Sequence, residues 1–244
     1  MKLSRRSLIA WLGAVMASIA AACGLKTDGP GGEEGLPVTP SRPILTNENS
    51  PAIKPHWNVR FIRPFEALDR DRWRLKIEGL VERPLELGLA EIQALPSIVQ
   101  NSRLVCVEGW SSRAEWVGFT FQTLVDLVKP KPEAQWVYFE CADGYYEVLS
   151  LAELLQPRVL FAYKMDGELL PDKFGAPLRL IMPDRYGYKG PKTILKMRFQ
   201  EKGGRGYWST VGPYTRDGAI EPGVDRPLDL GGRREIKGGE VTEY

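Results

Sequence analysis

The sequence is poor in the residues that build most metal and redox centres. It has one histidine, His56, and three cysteines among 244 residues. A three-histidine zinc site and a bis-histidine haem site each need several imidazoles, so neither can be assembled from this chain. A Cys-x-x-Cys-His haem attachment sequence, a P-loop and a dinucleotide-binding glycine fingerprint are also absent. A cofactor bound here must therefore use other ligands, and no haem is expected.

An excess of charge of one sign is also missing. The 33 Lys and Arg residues nearly balance the 31 Asp and Glu residues, which leaves a net charge of +2. Nucleic-acid-binding proteins usually carry a one-sided basic stripe, and no such stripe is visible, so we expect no nucleic-acid partner. With 43% hydrophobic residues, seven Trp and nine Tyr, the chain can instead bury a sizeable core in one domain.

The first 23 residues have the composition of an export signal. Lys2, Arg5 and Arg6 precede an apolar run at residues 8–16, and small residues follow. The run is shorter than the roughly 20 apolar residues of a membrane span, so a cleaved signal is favoured over a spanning anchor. The two arginines indicate the twin-arginine type, which exports folded and commonly cofactor-loaded proteins. An ordinary secretory signal is the alternative.

Cys23 stands at the end of this segment, in a stretch that resembles a bacterial lipobox. Ala20 occupies a position where Leu is usual, so cleavage at an Ala-x-Ala site that leaves Cys23 as a free thiol remains the alternative. Residues 24–55 then hold five Gly and six Pro with few large apolar groups, which predicts a flexible tether. A lipid on Cys23 would give this tether a membrane contact.

The remaining chain has the pattern of short strands separated by turns and a few short helices, so the predicted class is α+β, with one domain at residues 56–208. Residues 209–244 form a glycine-rich, charged extension. Apolar alternation and turn residues predict strands at 73–81, 103–107, 116–121, 136–141, 145–149, 159–165, 177–182 and 193–199, and helices at 87–95, 120–128 and 151–155.

Cys106 lies where a strand-like run meets a polar loop. Its thiolate is the soft ligand that a transition metal or a covalent intermediate requires. A free cysteine is as often a small buried hydrophobe, and from the surrounding residues alone the two interpretations have equal weight.

A second unusual stretch follows the predicted strand at 177–182. Residues 185–192 combine two Tyr, two Gly, one Pro and three cations. Glycines allow close backbone approach to a ligand, and Arg179, Arg185, Lys189 and Lys192 could pair with a phosphate. The alternative is a solvated hairpin loop whose cations contact water.

Five segments in the same order resemble the molybdopterin-binding domain of the sulfite oxidase superfamily. They are Leu104-Val105-Cys106-Val107-Glu108-Gly109-Trp110-Ser111, Trp116-Val117-Gly118-Phe119, Phe139-Glu140-x-Ala142-Asp143-Gly144-Tyr145, Gly175-x-Pro177-Leu178-Arg179-Leu180 and Tyr186-Gly187-Tyr188-Lys189. The layout is most similar to that of the exported catalytic subunits of bacterial methionine sulfoxide reductase systems. The resemblance runs from about residue 57 to residue 208.

The resemblance implies a mixed-sheet domain around one molybdenum atom, held by a single pyranopterin dithiolene and one protein thiolate. Cys106 occupies the position of that metal ligand, which is also the expected catalytic residue. The family's cofactor-binding Arg and Lys fall on Arg179 and on the segment Gly190-Pro191-Lys192, and Lys189 of the same loop is grouped with them.

Further cofactor contacts are expected near the start of the domain, where Asn58 is the first match to a family asparagine and Arg60 the second. Glu108, Trp110 and Tyr188 could contact the pocket or could simply pack.

The sequence departs from the related reductase subunits at Cys141 and Phe174, where they have a small hydroxyl residue and Asn. Both positions line the family's cofactor pocket, so substrate preference stays open. Cys141 could also form a disulfide with Cys106 in an oxidising compartment.

These features together predict an exported, periplasmic or envelope enzyme that transfers an oxygen atom in a two-electron step, reducing a sulfoxide or N-oxide. Its electrons would come from a separate protein, either a membrane haem protein or a soluble carrier. A sulfite dehydrogenase is one alternative, weakened because Cys106 is followed by Val-Glu-Gly-Trp rather than a nearby Arg, and because residues 209–244 are too short for that group's extra immunoglobulin-like domain. Two others are a thiol redox protein that uses Cys106 and Cys141, and a cofactor-free, lipid-anchored binding module.

Overall fold

The strands form two five-stranded sheets and one small pair. The computed structural model describes residues 59–64, 66–108, 111–221, 224–225 and 234–235. In chain order the strands are β1 (Leu75–Gly79), β2 (Leu85–Leu87), β3 (Ile98–Val105), β4 (Ser111–Thr120), β5 (Trp136–Cys141), β6 (Tyr146–Ser150), β7 (Leu160–Met165), β8 (Glu168–Leu169), β9 (Arg179–Ile181), β10 (Ile194–Gln200), β11 (Val224–Asp225) and β12 (Arg234–Glu235).

The helices are short, and they lie between the strands. They are α1 (Leu89–Gln93), α2 (Phe121–Val128), α3 (Leu151–Leu154) and α4 (Tyr207–Val211), with 3-10 turns at Asp172–Phe174 and Gly187–Lys189. Among the described residues, no helix is both long enough and apolar enough to cross a membrane. The predicted export signal and tether lie outside the described residues.

The first sheet has the strand order β2-β1-β10-β5-β6, in which β1 and β10 are parallel and the other pairs are antiparallel. The second has the order β3-β4-β7-β8, with β9 also paired to β7. Mixed sheets with few helices confirm the predicted α+β class.

Five phenylalanine rings join the two sheets. Phe161 of β7 lies 5.4 Å from the ring of Phe119, 6.2 Å from Phe121 and 6.3 Å from Phe139, measured between ring centroids. Phe121 in turn lies 5.9 Å from Phe199 of β10. All five are at most 1% exposed. Because β5 and β10 belong to one sheet and β4 and β7 to the other, this cluster is the core between them.

The bounds of β5 match the prediction, because its apolar residues alternate strictly: Val137, Phe139 and Cys141 are buried, and the residues between them are half-buried. The bounds of several other strands were wrong. The strand predicted at 116–121 runs over Ser111–Thr120, and the one predicted at 177–182 covers only Arg179–Ile181. The strand predicted at 73–81 ends at Gly79, whose φ of +91° takes the chain out of the extended region. The strand predicted at 103–107 runs instead over Ile98–Val105, so Cys106 lies in the turn that follows it.

The pairing of β4 with β7 depends on Gly118. A Cβ atom at this position would lie 2.0 Å from the carbonyl oxygen of Phe161, a backbone atom that cannot move without separating the strands. At Gly204 a Cβ atom would meet nothing closer than a Val148 methyl group at 3.3 Å.

We predict that Gly118→Ala lowers the free energy of unfolding by at least about 2 kcal/mol, because the added methyl group overpacks a buried sheet. Gly204→Ala is the matched control and should change it by less than about 1 kcal/mol. Urea unfolding followed by circular dichroism measures both. Equal effects of the two substitutions would contradict the close approach at Gly118.

Candidate cofactor site

One cavity of about 180 Å³ collects half of the site residues that the sequence predicted. Its walls come from the segment before β1, the end of β3 and the turn after it, the β5–β6 turn, β9, the 187–192 loop, and α4 with the chain that follows. The lining residues are Val59, Arg60, Ile62, Leu104, Cys106, Val107, Glu108, Asp143, Tyr145, Arg179, Gly187, Tyr188, Gly190, Lys192, Trp208 and Tyr214.

Cys106 is half-buried in the turn after β3 and packs beside a small cluster of Val107, Tyr186 and Ile220. Burial raises the pKa of its thiol to about 11. Without a metal the group is therefore a neutral thiol at pH 7, and metal binding would release its proton. The turn presents one soft ligand to the cavity.

Arg179 of β9 is a buried cation, only 4% exposed. Its Nη1 atom donates to the carbonyl of Phe174 at 2.8 Å, and its guanidinium carbon lies 5.3 Å from the ring centroid of Trp116. Its buried Nε atom has no hydrogen-bond partner in the described part of the chain. Burial lowers the pKa of Arg179 to about 10, so the group remains charged at pH 7. An unpartnered guanidinium donor of this kind is suited to an anionic ligand.

Lys192 is a second cation in the same cavity. Its Nζ atom donates to the carbonyl of Arg60 and lies 4.2 Å from the ring centroid of Phe61. Burial, followed by the charge of Arg179, lowers the pKa of Lys192 to about 8, and Asp143 acts in the opposite direction. Two like charges held together make the cavity attractive to an anion such as a phosphate.

The segment before β1 is fastened over this cavity by two contacts. Arg60 and Glu108 form an ion pair of 2.7 Å, which links the segment to the turn that carries Cys106. The backbone N–H of Ile62 donates to the Asp143 carboxylate at 3.0 Å. The Arg60 side chain is 63% exposed, so this ion pair lies at the rim of the cavity.

Gly187 and Gly190 keep the loop wall close to its neighbours. A Cβ atom at Gly187 would lie 2.9 Å from a methyl group of Leu104, and one at Gly190 would lie 2.8 Å from the carbonyl oxygen of Leu180. Larger residues would push the loop away from β3 and β9.

Of the predicted site residues, the structure brings five to the cavity: Arg60, Cys106, Arg179, Gly190 and Lys192. Asn58 and Trp110 lie outside the described residues. The sequence left open whether Glu108 and Tyr188 contact the pocket or only pack. Both line the cavity.

Four predicted cofactor-binding residues are absent from the lining. Cys141 is 3% exposed, and its thiol, like that of Cys106, is free. Phe174 packs against the core cluster around Trp116. Lys189 forms a buried ion pair with Glu147, and the Pro191 carbonyl accepts a hydrogen bond from the backbone of Leu180.

The four cations considered as phosphate partners therefore divide into two pairs. Arg185 and Lys189 each form an ion pair, with Asp184 at 2.6 Å and Glu147 at 2.7 Å. Arg179 and Lys192 form no ion pair within the described part of the chain and line the cavity. Composition could not separate these pairs, because the carboxylate that pairs with Lys189 comes from β6, and the adjacent Asp184 could be seen to pair with Arg185 only in the folded loop.

One wall of the cavity is aromatic, and the sequence patterns did not predict it. Tyr214 lies 5.0 Å from the ring of Tyr188 and 5.8 Å from the ring of Trp208, and all three line the cavity. Tyr145 adds a fourth ring from the β5–β6 turn. Tyr145 and Tyr188 belonged to matched segments, whereas Trp208 and Tyr214 carry no local signal and reach the cavity only through the path of the chain after β10.

The family model for the oxidoreductase molybdopterin binding domain matches residues 62–208, well over half of the chain. The chain belongs to this family, as the sequence resemblance predicted.

Curated relatives also match more than half of the chain. A protein of Azospira oryzae named "Putative protein-methionine-sulfoxide reductase subunit YedZ1" is 38% identical over 145 residues, which are 59% of this chain and 55% of that protein. The protein-methionine-sulfoxide reductase catalytic subunit MsrP of Ralstonia nicotianae is 33% identical over 173 residues, 64% of this chain and 52% of that one. The chain thus spans about half the length of these relatives.

Among solved structures, the fold is similar to the sulfane dehydrogenase SoxCD of Paracoccus pantotrophus. The TM-score is 0.54 at 24% identity, and the match covers 57% of this chain and 40% of that one. At this identity the likeness concerns the fold alone, and it confirms the predicted domain type.

The cavity residues fit a molybdopterin. Cys106 supplies a soft sulfur ligand, and the unpartnered Nε of Arg179 together with Lys192 suits the terminal phosphate. Among the described residues, no group of three or more His, Cys, Asp or Glu side chains is placed to hold a metal ion. A single thiolate matches a centre whose other ligands come from its cofactor.

We predict that Lys192→Met changes the pH dependence of stability in cofactor-free protein. The folded-state pKa of about 8 lies below the ordinary 10.5, so between these values the unfolded chain binds more protons. The free energy of unfolding of the wild type should therefore gain a rising contribution from pH 8 to 10.5, which Lys192→Met lacks. Urea unfolding across pH 7–10.5 measures it. Parallel curves for the two proteins would contradict a buried ammonium.

Proposed function

We propose that this chain is an exported molybdenum-dependent oxidoreductase that reduces a sulfoxide or N-oxide in a two-electron oxygen-atom transfer. The observation that carries the proposal is the joint placement of Cys106, Arg179 and Lys192 in one cavity of a chain that belongs to a molybdopterin-binding family. A soft ligand and two cations are what a metal-dithiolene with a terminal phosphate needs.

In this proposal the chain's residues have distinct parts. Cys106 gives up its proton and binds the metal through Sγ, while Arg179 and Lys192 bind the phosphate. Gly187 and Gly190 admit the cofactor close to the backbone, and the rim pair of Arg60 with Glu108 covers the site. When bound, the molybdopterin would supply the two-electron chemistry of oxygen-atom transfer.

The substrate class is inferred from the cavity wall and from the relatives. Tyr188, Trp208 and Tyr214 form an aromatic surface suited to the apolar groups that flank a sulfoxide. Two curated relatives are named as methionine sulfoxide reductase subunits. Reduction of the S=O bond consumes two electrons and two protons and yields a thioether and water.

The electron donor is proposed to be a separate protein, either a membrane haem protein or a soluble carrier, because the sequence contains no haem attachment motif. The twin-arginine-like start and the lipobox-like Cys23 support a location in the periplasm or cell envelope, with lipid on Cys23 as a membrane anchor.

Sulfite oxidation is the second candidate, since the same two cations would also attract an anionic substrate. A thiol redox function is less well supported. Burial raises the pKa of both Cys106 and Cys141, which makes each a poor nucleophile at neutral pH.

We predict that protein purified after native export from a molybdenum-replete host contains about one molybdenum per chain. Cys106→Ser should lower this content by at least about tenfold or abolish activity, because a hydroxyl is a poor substitute for a soft thiolate. The matched control is Cys141→Ser, which changes a thiol outside the cavity lining. Elemental analysis by plasma mass spectrometry gives the content.

A metal-free wild type would overturn the proposal and favour the cofactor-free binding module. Full activity without molybdenum, lost when either cysteine is changed, would favour the thiol redox protein. Tungsten in place of molybdenum would leave the site assignment intact.

We further predict that the loaded enzyme, with a reduced viologen as electron donor, reduces methionine sulfoxide or an N-oxide faster than it oxidises sulfite with an artificial acceptor. Steady-state turnover with each substrate measures this. Sulfite as the best substrate would replace the first candidate with the second.

A further inference from the structure

The least exposed charges in the described chain are Glu147 of β6 and Lys189 of the 187–189 turn. Their ion pair measures 2.7 Å, and each side chain is 1% exposed. Burial raises the pKa of Glu147, and the charge of Lys189 opposes that effect. A buried ion pair is weak support for stability, because an apolar pair of similar volume often serves a fold as well or better. Its place in the molecule therefore suggests another role.

Glu147 connects this pair to the cavity wall through Tyr145. The Oε1 atom accepts hydrogen bonds from Lys189 at 2.7 Å and from the backbone N–H of Val148 at 2.9 Å. The Oε2 atom lies 2.9 Å from the Tyr145 hydroxyl. That hydroxyl also contacts the carbonyl oxygen of Tyr188. The single hydroxyl proton of Tyr145 is thus shared between two acceptors, the Glu147 carboxylate and the Tyr188 carbonyl, and this bifurcated contact joins β6 to the loop that carries Tyr188.

The chain from Gly206 to Gly218, which forms another wall of the cavity, packs against the same ion pair. A Cβ atom at Gly206 would lie 2.2 Å from a Glu147 carboxylate oxygen, and one at Gly218 would lie 2.4 Å from Cγ of Lys189. The chain between these glycines carries Trp208 and Tyr214. The ion pair is therefore the point where three wall segments meet.

We propose that Glu147 and Lys189 are positioning residues, which fix Tyr145 and the 186–190 loop in the geometry that the cavity needs for turnover. Neither residue is among those that line the cavity, so they act through Tyr145 and Tyr188. The catalytic part of this inference rests on the proposed oxidoreductase function.

The test replaces the pair without leaving a buried charge. Glu147→Leu/Lys189→Met removes both charges and the side-chain acceptor of the Tyr145 hydroxyl, and leaves only the Tyr188 carbonyl as its acceptor. Glu147→Gln/Lys189→Met removes both charges but keeps an acceptor. Glu140→Leu/Lys196→Met is the matched control, because that pair joins β5 and β10 at 3.0 Å with side chains 47% and 30% exposed.

Two readouts separate positioning from stability in the exported holoenzyme. Hydrogen exchange of the amides at 186–190 should accelerate about tenfold or more in the Leu/Met variant while its melting temperature is unchanged or higher. Its kcat for sulfoxide reduction should fall about tenfold or more with KM changed less than about threefold, because misplacement of a wall affects the reacting geometry more than binding. The Gln/Met variant should restore both values to within about threefold of wild type.

Tyr145→Phe provides a second measurement if the double variants fold poorly, since it removes only the hydroxyl. It should accelerate exchange at 186–190, and Tyr163→Phe, a buried tyrosine outside the cavity lining, should not.

Three results would each overturn the inference. They are wild-type exchange and kinetics in the Leu/Met variant, equal losses in the Leu/Met and Gln/Met variants, and unchanged exchange in Tyr145→Phe. A wild type that reduces no sulfoxide or N-oxide would overturn the proposed function instead, and the exchange data would still decide whether the pair holds the wall.

Discussion

The site depends on two cations, the buried Arg179 and the half-buried Lys192, which the fold holds in one cavity without an ion-pair partner in the described part of the chain. Their mutual repulsion and their loss of water both oppose folding, so strong elements must hold them: β9, paired to β7, and a loop whose glycines pack against β3 and β9. An anion in the cavity would relieve both costs. The candidate cofactor site therefore consists of these two cations as well as the Cys106 thiol.

The other two cations of this region, Arg185 and Lys189, differ from Arg179 and Lys192 because each of them forms an ion pair. Arg185 and Lys189 lie close to Lys192 in the sequence and carry the same charge. Unlike Lys192 within the described part of the chain, each has a carboxylate within 2.7 Å. Arg185 and Lys189 therefore support the conformation of the loop, whereas Lys192 and Arg179 of β9 face the cavity. The division follows from where β6 and Asp184 place their carboxylates, and composition alone does not contain it.

Sequence patterns predicted strands well where burial alternates, as in β5, and less well where a strand ends in a special backbone geometry. Gly79 ends β1 through a positive φ, and the turn after Val105 releases Cys106 from β3. The family resemblance supplied Cys106 and Arg179 from short recognisable segments, and Lys192 from the residues just after the last of them. It grouped Cys141, Phe174, Lys189 and Pro191 with them, although these four do not line the cavity.

The sequence by itself determined the class of domain, the candidate soft ligand, and the set of cations from which a phosphate site could be built. Only the tertiary structure decided which cations stay unpaired, that Trp208 and Tyr214 complete the wall, and that Glu147 with Lys189 joins its segments. The physical reason is that local patterns report which face of a strand is buried, whereas pairing across 42 residues between Glu147 and Lys189 depends on how the sheets and loops pack.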